Sequence, residues 1–166
     1  MKKIFLIGMP GSGKSTVGRF LAKKLNYKFI DLDGMIEQDA LMFIDELFEK
    51  FGEKKFRELE TLSLSKLPDE NIVVSCGGGI VTKKENKALM NGLKIYLDTD
   101  IEIIRERLKE DYVRPLLLKK SLDTLYQERY LKYLDFSDMM VSNDRNVEKT
   151  VEEIINRLEE SKWISY

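Results

Sequence analysis

The strongest constraint on the fold is a glycine-rich segment that directly follows a short apolar run. Residues 4–7 read IFLI and residues 8–16 read GMPGSGKST, after which a helical pattern begins. The segment satisfies the pattern G-x-x-x-x-G-K-[ST] at Gly8, Gly13, Lys14 and Ser15. Glycines let backbone N–H groups turn inward around a phosphate, and the N-terminus of a following helix adds a partial positive charge. These residues are therefore predicted to form a strand, a phosphate-binding loop and a helix.

The side chains of this loop indicate that the bound phosphates belong to a nucleoside triphosphate. We expect the Lys14 ammonium to reach the β- and γ-phosphates and the Ser15 hydroxyl to hold Mg²⁺. An incidental glycine turn is disfavoured, because an apolar β-type run precedes the loop and a helical pattern follows it. The predicted phosphate-binding residues are Gly11, Ser12, Gly13, Lys14, Ser15 and Thr16.

Short apolar runs alternate with longer helical patterns along the chain. The predicted strands are 4–7, 28–30, 72–75, 93–97 and 139–141, and the predicted helices are 14–25, 43–51, 53–67, 83–91, 101–109, 121–134 and 147–162. Near-continuous apolar runs are typical of strands that are buried on both faces of a parallel sheet. We therefore expect a single α/β domain over residues 1–166, with right-handed crossovers.

One segment interrupts the alternation of strands and helices. Residues 109–121 read KEDYVRPLLLKKS, which is charged and contains a proline. A dozen irregular residues inside a compact domain are often a lid or a binding loop. We predict a lid over roughly residues 109–121, and we expect Arg114 within it to move onto the γ-phosphate in the transition state.

Composition excludes several classes of function. The formal net charge of −1 argues against a broad nucleic-acid surface, and no apolar stretch has the length of a membrane span. The chain has no histidine, so a general base would have to be Asp, Glu, Lys or Tyr. Its one cysteine, Cys76, cannot form an intrachain disulfide. We expect a cytoplasmic protein with no nucleic-acid or membrane partner.

Two carboxylates follow the second predicted strand. Residues 29–34 read FIDLDG, and Asp31 and Asp33 are expected to point the same way if this segment is extended. Ligands of open α/β sheets bind beyond the carboxyl ends of the strands. There Asp31 could support Mg²⁺, and Asp33 could bind an acceptor hydroxyl and take its proton. The alternative is a turn with a helix N-cap, which also favours Asp, and the pattern leaves both interpretations open.

Of two arginines in predicted helices, Arg57 is a candidate for binding a planar carboxylate. Arg57 lies in a helical pattern with Glu60 three residues later, which fits either an exposed ion pair or a guanidinium aimed into the cleft. Arg129 lies in the helical stretch YQERYLKYL, where a solvated helix charge is the more usual interpretation of such a residue.

Three consecutive glycines follow the third predicted strand. Residues 73–81 read VVSCGGGIV. A flexible turn needs at most one or two glycines, so this run favours a place where a ligand touches the backbone. Cys76 precedes the run, and we interpret it as a small packed residue and not as a nucleophile, because no nearby base is evident to activate it.

Together these segments resemble shikimate kinases. The similar segments are, in order, GMPGSGKSTVGRFLA, FIDLD, ELFEKFGEKKFRELE, VVSCGGGIV, RPLL and the R-x-x-x-Y of Arg129 and Tyr133. The resemblance implies a three-layer α/β/α P-loop fold of the nucleoside-monophosphate-kinase type, with a five-stranded parallel sheet and a lid. It also implies ATP-dependent phosphorylation of the shikimate 3-hydroxyl, a step of aromatic amino acid (chorismate) biosynthesis.

The resemblance also implies roles for individual positions. The residues that would bind shikimate are Asp33, Arg57, Gly78, Gly79 and Arg129. The catalytic residues would be Lys14, Asp33 and Arg114, and Mg²⁺ would be held by Ser15 with Asp31 in support. Arg107 is similar to an arginine that stacks on adenine, although this match is the weakest of the set. We expect a monomer with ATP and shikimate as its substrates.

Two other interpretations are compatible with parts of the pattern. One is a kinase of the same fold that acts on another small acceptor, such as gluconate or a nucleoside monophosphate. The other is a non-catalytic P-loop protein that uses ATP binding for regulation or assembly. The presence of Lys14, Asp31, Asp33 and Arg114 together disfavours the second interpretation.

Overall fold

The computed structural model describes residues 1–109 and 121–164, which contain a five-stranded, fully parallel sheet. Its strands are β1 (Lys3–Ile7), β2 (Lys28–Asp31), β3 (Ile72–Ser75), β4 (Leu93–Asp98) and β5 (Met139–Ser142). Their order across the sheet is β2-β3-β1-β4-β5. The predicted parallel α/β fold is confirmed, and each predicted strand agrees with an observed one to within one or two residues.

Helices connect the strands. They are α1 (Lys14–Leu25), α2 (Leu32–Ala40), α3 (Ile44–Ser65), α4 (Glu85–Leu89), α5 (Ile101–Leu108), α6 (Leu122–Phe136) and α7 (Val147–Glu160), with a 3-10 turn at Ile80–Thr82. Helix α3 is interrupted at Gly52, whose φ of 80° and ψ of 173° are not helical. This interruption divides α3 close to the boundary between the two predicted helices, 43–51 and 53–67.

Residues 29–34 are extended only as far as Asp31, so the condition under which Asp31 and Asp33 were expected to point the same way is not met. Strand β2 ends at Asp31, and α2 starts at the next residue. Asp33 therefore lies in the first turn of a helix, where a carboxylate is favoured by the helix dipole. Helix α2 then buries Leu32 and Ile36, which are one helical turn apart.

Apolar side chains cover both faces of the sheet. In β1, Phe5 and Ile7 point to one face and Ile4 and Leu6 to the other, as the two-residue period of a strand requires. The first face packs mainly against α5, α6 and the end of α3, and the second packs against α1 and α7. The result is the predicted three-layer arrangement.

The sheet brings the ends of β1, β2 and β3 together. Asp31 at the end of β2 is paired with Ser75 at the end of β3, and β3 lies beside β1, which leads into the glycine-rich loop. A small apolar cluster of Ile36, Leu47 and Phe56 joins α2 to α3 above this edge. The candidate residues of the sequence are thus collected at the carboxyl ends of the strands, where ligands of open α/β sheets bind.

Part of the predicted lid lies outside the described residues. This applies to residues 110–120, which include Arg114, so the lid and the role of this arginine stay predictions. In the two ranges that the structure does describe, no helix is both long and apolar enough to cross a membrane.

Candidate active site

The glycine-rich loop curls around the ammonium group of Lys14. The Lys14 Nζ donates hydrogen bonds of 2.8 Å to the carbonyls of Gly8 and Met9, and the side chain is only 8% exposed. Gly11 and Gly13 have φ angles of 78° and 94°, a left-handed conformation that side chains other than hydrogen rarely allow. The loop therefore needs glycine at both positions in order to close around the lysine.

A cavity of about 480 Å³ lies between this loop, the start of α2 and the end of β3. It brings together most of the predicted phosphate, metal and acceptor residues. The predicted residues that line it are Gly11, Gly13, Lys14, Ser15, Thr16, Asp31, Asp33, Gly78 and Arg107. Ser12 does not line this cavity and is fully buried beneath the loop.

Oxygen atoms suited to a hard cation meet at one side of the cavity. The Ser15 Oγ lies 3.2 Å from the Ser75 Oγ, and Asp31 is the strand partner of Ser75. Asp31 occupies the N-cap position of α2, as the alternative interpretation of the sequence held, yet its side chain makes no capping hydrogen bond. Its carboxylate lines the cavity instead. Sequence reasoning missed Ser75, because a serine at a strand end has no distinctive local pattern.

Asp33 and Glu60 face the same point of the glycine run. A β-carbon placed on Gly77 would lie 2.8 Å from the Asp33 Oδ1 and 3.0 Å from the Glu60 Oε2. The two carboxylates therefore converge although they come from different helices, α2 and α3. This convergence places the acceptor candidate Asp33 beside the ion pair that Glu60 forms with Arg57.

The Arg57–Glu60 pair is buried, so the interpretation as an exposed ion pair is wrong. Arg57 is 7% exposed and Glu60 is inaccessible, and the Arg57 Nη1 donates a hydrogen bond of 2.6 Å to the Glu60 Oε1. Burial raises the pKa of Glu60 to about 7, because the loss of hydration outweighs the stabilising charge of Arg57. Among the described residues, neither the Arg57 Nε nor the Glu60 Oε2 has a hydrogen-bond partner.

Arg129 is buried as well, against the expectation of a solvated helix charge. It is 3% exposed, and a β-carbon on Gly78 would lie 3.2 Å from its Nη1. One turn later in α6, the fully buried Tyr133 donates a hydrogen bond of 2.6 Å from its Oη to the Gly78 carbonyl. Burial raises the pKa of Tyr133 to about 12, so the phenol keeps its proton and acts as a donor at neutral pH.

Glycine is needed at residues 77–79 because neighbouring side chains leave no room for a β-carbon. It is not needed for a left-handed backbone conformation. None of the residues 77–79 has a positive φ. A β-carbon on Gly78 would lie 2.8 Å from the Pro10 ring, and one on Gly79 would collide with the Arg57 guanidinium. The protein's own side chains thus approach this run closely, and the predicted contact of a ligand with its backbone stays a prediction. Arg57 and Arg129 lie close to this run but are not among the residues that line the 480 Å³ cavity.

Cys76 is a packed residue, as predicted. It is 2% exposed and belongs to the apolar cluster on the α6 side of the sheet. Burial raises the pKa of its thiol far above neutrality, which excludes a reactive thiolate in this environment.

Arg107 lines the cavity and contacts the glycine-rich loop. Its Nη1 donates to the Gly11 carbonyl at 3.1 Å, and its Nη2 donates to the Asn143 carbonyl at 3.2 Å. The guanidinium thus bridges the glycine-rich loop and the loop that follows β5. Sequence reasoning did not assign any residue of the second loop.

Comparisons with known proteins agree with this arrangement. A sequence model of the shikimate kinase family matches residues 10–159. The shikimate kinase of Bacillus cereus (strain AH187) is 38% identical over 162 residues, which cover 96% of this chain and 98% of that protein. The shikimate kinase of Sulfurihydrogenibium sp. (strain YO3AOP1) is 40% identical over 163 residues, with coverages of 95% and 98%.

A solved structure supports the same relationship. Shikimate kinase from Acinetobacter baumannii in complex with shikimate superposes with a TM-score of 0.91 at 31% identity. The superposition covers 98% of this chain and 95% of that one.

Proposed function

The chain belongs to the shikimate kinase family and is an ATP-dependent kinase that phosphorylates shikimate, and we propose that the reaction takes place in the cleft beside its phosphate loop. The observation that carries this proposal is that two groups line one cavity and a third lies against the glycine run beside it. The phosphate loop forms one side of the cavity, Asp33 enters it from α2, and the buried Arg57–Glu60 pair lies against the glycine run. A phosphoryl donor and an acidic acceptor could meet there.

The donor side of the proposed site is the loop around Lys14. Backbone N–H groups of residues 11–16 and the N-terminus of α1 favour the negative charge of the ATP phosphates. Lys14 is buried within this loop, where its charge acts on the transferring phosphate in a medium of low dielectric constant. Arg107 borders the nucleotide side, and we assign it to the adenine. Arg114, which is predicted to contact the γ-phosphate, lies outside the described residues.

Ser15 and Asp31 are the residues proposed to hold Mg²⁺. A hydroxyl and a carboxylate facing one polar cavity are ligands that Mg²⁺ accepts, with phosphate oxygens and water completing its octahedron. Within residues 1–109 and 121–164, no three acidic or thiol side chains form a group that could hold a metal by themselves. When bound with ATP, Mg²⁺ neutralises charge on the phosphates. Ser75, which lies against Ser15, would orient the Ser15 hydroxyl.

The acceptor side combines one carboxylate, two arginines and a close backbone. We assign the shikimate carboxylate to the guanidinium groups of Arg57 and Arg129, since guanidinium binds carboxylates through paired hydrogen bonds. Gly78 and Gly79 supply the backbone against which the ring packs, and Asp33 accepts a hydrogen bond from the reacting 3-hydroxyl. Positioning of this hydroxyl is the main contribution of Asp33, because the proton leaves late in a loose transition state.

Three further assignments complete the proposal. The chain is a single P-loop kinase domain over residues 1–166, with a lid over roughly residues 109–121 that excludes water during transfer. We assign it to the cytoplasm, because its single buried thiol suits a reducing compartment, and we assign it as a monomer. Its product, shikimate 3-phosphate, enters aromatic amino acid biosynthesis.

An acceptor panel tests the proposed reaction. ADP release is measured in a coupled assay with ATP and Mg²⁺, in parallel with shikimate, gluconate, nucleoside monophosphates or no acceptor. We expect that, of these acceptors, only shikimate raises the rate of ADP release above the rate without an acceptor. Release with gluconate would instead assign the cleft to another acidic acceptor, and ATP binding without release under any condition would indicate a non-catalytic protein.

A further inference from the structure

The Asn143 side chain connects the loop after β5 to the phosphate loop. Its Nδ2 donates a hydrogen bond of 2.6 Å to the Ser12 carbonyl, across 131 residues of sequence. Asn143 is 3% exposed, and its Nδ2 lies 2.5 Å from where a β-carbon on Gly13 would be. The amide is thus packed directly against the peptide that joins Ser12 to Gly13.

Thr150 determines which way this amide points. The Thr150 Oγ1, which is fully buried, donates a hydrogen bond of 2.7 Å to the Asn143 Oδ1. An amide oxygen that accepts from Thr150 leaves the amide nitrogen facing the Ser12 carbonyl. The orientation of the donor therefore depends on a hydroxyl in α7.

The backbone of Asn143 is held equally firmly. Its N–H donates to the Asp98 carbonyl at 2.8 Å, and its carbonyl accepts from the Arg107 Nη2 at 3.2 Å. The Thr99 Oγ1 lies 3.2 Å from the Ser12 carbonyl and 3.4 Å from the Asn143 carbonyl. Every polar atom of Asn143 thus has a partner, and a residue with so many partners cannot easily move relative to the sheet.

The direction of the Ser12 carbonyl has a consequence for phosphate binding. In a trans peptide the C=O and N–H groups point in opposite directions. When the Ser12 carbonyl points toward Asn143, the Gly13 N–H points away from Asn143. Gly13 lines the cavity, so its N–H is directed to the side where the phosphates are assigned.

We propose that Asn143, oriented by Thr150, is a positioning residue that presents the Gly13 N–H to the nucleotide phosphates. This inference rests on the proposed binding of ATP at the phosphate loop. Asn143 acts through the Ser12–Gly13 peptide and not by contact with the adenine base of the nucleotide. Loss of the Asn143 amide should weaken the binding of every ligand that places phosphates in the loop. The binding of shikimate should be unchanged.

Isothermal titration of the full chain with ADP, inorganic tripolyphosphate and shikimate tests this proposal. Asn143→Asp keeps the shape of the side chain but replaces the donor with an acceptor that faces the Ser12 carbonyl. Thr150→Val removes the orienting hydroxyl without adding charge. Asn146→Asp is the matched control, because Asn146 lies on the same loop and accepts from the Lys149 N–H, a role that aspartate also performs.

For Asn143→Asp we expect ADP and tripolyphosphate to bind at least about tenfold more weakly, with shikimate affinity within about twofold of the parent. Thr150→Val should lower the affinity for ADP by about threefold or more. Asn146→Asp should lower it by less than about twofold. Equal ADP affinity in Asn143→Asp and the parent would overturn the inference. So would a loss for ADP without a loss for tripolyphosphate, which would place Asn143 at the base. Failure of the parent to bind ADP would overturn the proposed function itself.

Discussion

The Tyr133 hydroxyl donates a hydrogen bond of 2.6 Å to the Gly78 carbonyl, which lies 55 residues earlier in the chain. This bond ties α6, which also carries Arg129, to the glycine run on the acceptor side. Tyr133 further stacks on Tyr96 of β4, with ring centroids 5.0 Å apart. The phenol therefore connects the sheet, the glycine run and the helix that presents a proposed shikimate ligand.

Tyr133→Phe should weaken shikimate binding selectively. The variant keeps the ring stacking but leaves the partly buried Gly78 carbonyl without this donor, at a cost of about 1–2 kcal/mol. We expect the KM for shikimate to rise about fivefold to thirtyfold, while the KM for ATP stays within about twofold. Steady-state kinetics with each substrate varied in turn measures both values.

Tyr130→Phe is the matched control for this variant. It removes a hydroxyl from the same helix, one turn earlier, where the ring packs against Tyr96 and Tyr126. Its KM for shikimate should equal that of the parent. A purely structural role for Tyr133 would appear as a lower Tm with both KM values unchanged, and that outcome would contradict the assignment.

Lys14→Ala should lower kcat at least about a hundredfold, because we propose that this buried ammonium stabilises charge on the transferring phosphate. The KM for shikimate should change little, since Lys14 lies on the donor side. Lys24→Ala removes an exposed lysine from the last turn of the same helix and should keep the parent kcat. A Lys14→Ala enzyme that retains more than about a tenth of the parent kcat would rule out this role.

Gly79→Ala should disturb the acceptor site through Arg57. The added methyl group would collide with the Arg57 guanidinium, which is confined by its hydrogen bond to Glu60. Overpacking of this kind costs about 1–3 kcal/mol, so we expect the KM for shikimate to rise about tenfold or more. The KM for ATP, measured on the same preparation, is the internal control. Unchanged kinetics for both substrates would show that Arg57 can move away without consequence.

Glu60 should make stability depend on pH in a defined direction. Its pKa is raised by burial from 4.5 to about 7, so the folded state binds a proton that the unfolded state releases between these values. The stabilising effect is fully present below pH 4.5 and is lost as the pH rises through about 7. Its size is on the order of a few kcal/mol.

Urea unfolding of the parent and of Glu60→Gln between pH 4.5 and 8 measures this effect. The free energy of unfolding of the parent, relative to that of the variant, should fall as the pH rises. The comparison uses how the free energy of unfolding changes with pH and not its absolute difference between the two proteins. The absolute difference also contains the loss of the charge that pairs with Arg57. Parallel curves, or a parent that gains relative stability with rising pH, would contradict the raised pKa.

The five strands and every described α-helix except α2 could be predicted from the sequence, because apolar runs and helical periodicity are local patterns. Helix α2 (Leu32–Ala40) was absent from the prediction altogether, for a local reason. Its first residues include Asp33 and Gly34, which have weak helix propensity and suit a turn equally well. What decides for a helix is the burial of Leu32 and Ile36, and burial depends on contacts from distant segments.

The candidate site shows the same division between local and long-range information. The loop around Lys14 has a recognisable spacing, whereas an Arg57–Glu60 pair looks the same in sequence whether it is exposed or buried. Its burial results from the approach of the glycine run at the end of β3. The contact between Asn143 and the Ser12 carbonyl spans most of the chain, so no local pattern could indicate it.

The central claim about the acceptor side is that Arg129, with Arg57, binds the carboxylate of shikimate. It is tested most directly by the KM values for shikimate and for its neutral methyl ester, each measured with the parent, Arg129→Ala and the exposed-site control Lys132→Ala. In the parent and the control, the KM for the ester should exceed that for shikimate by about tenfold to a hundredfold. In Arg129→Ala this ratio should shrink to a few-fold, because one of the two cations that sense the charge is gone. The same ratio in Arg129→Ala as in the parent would contradict the claim.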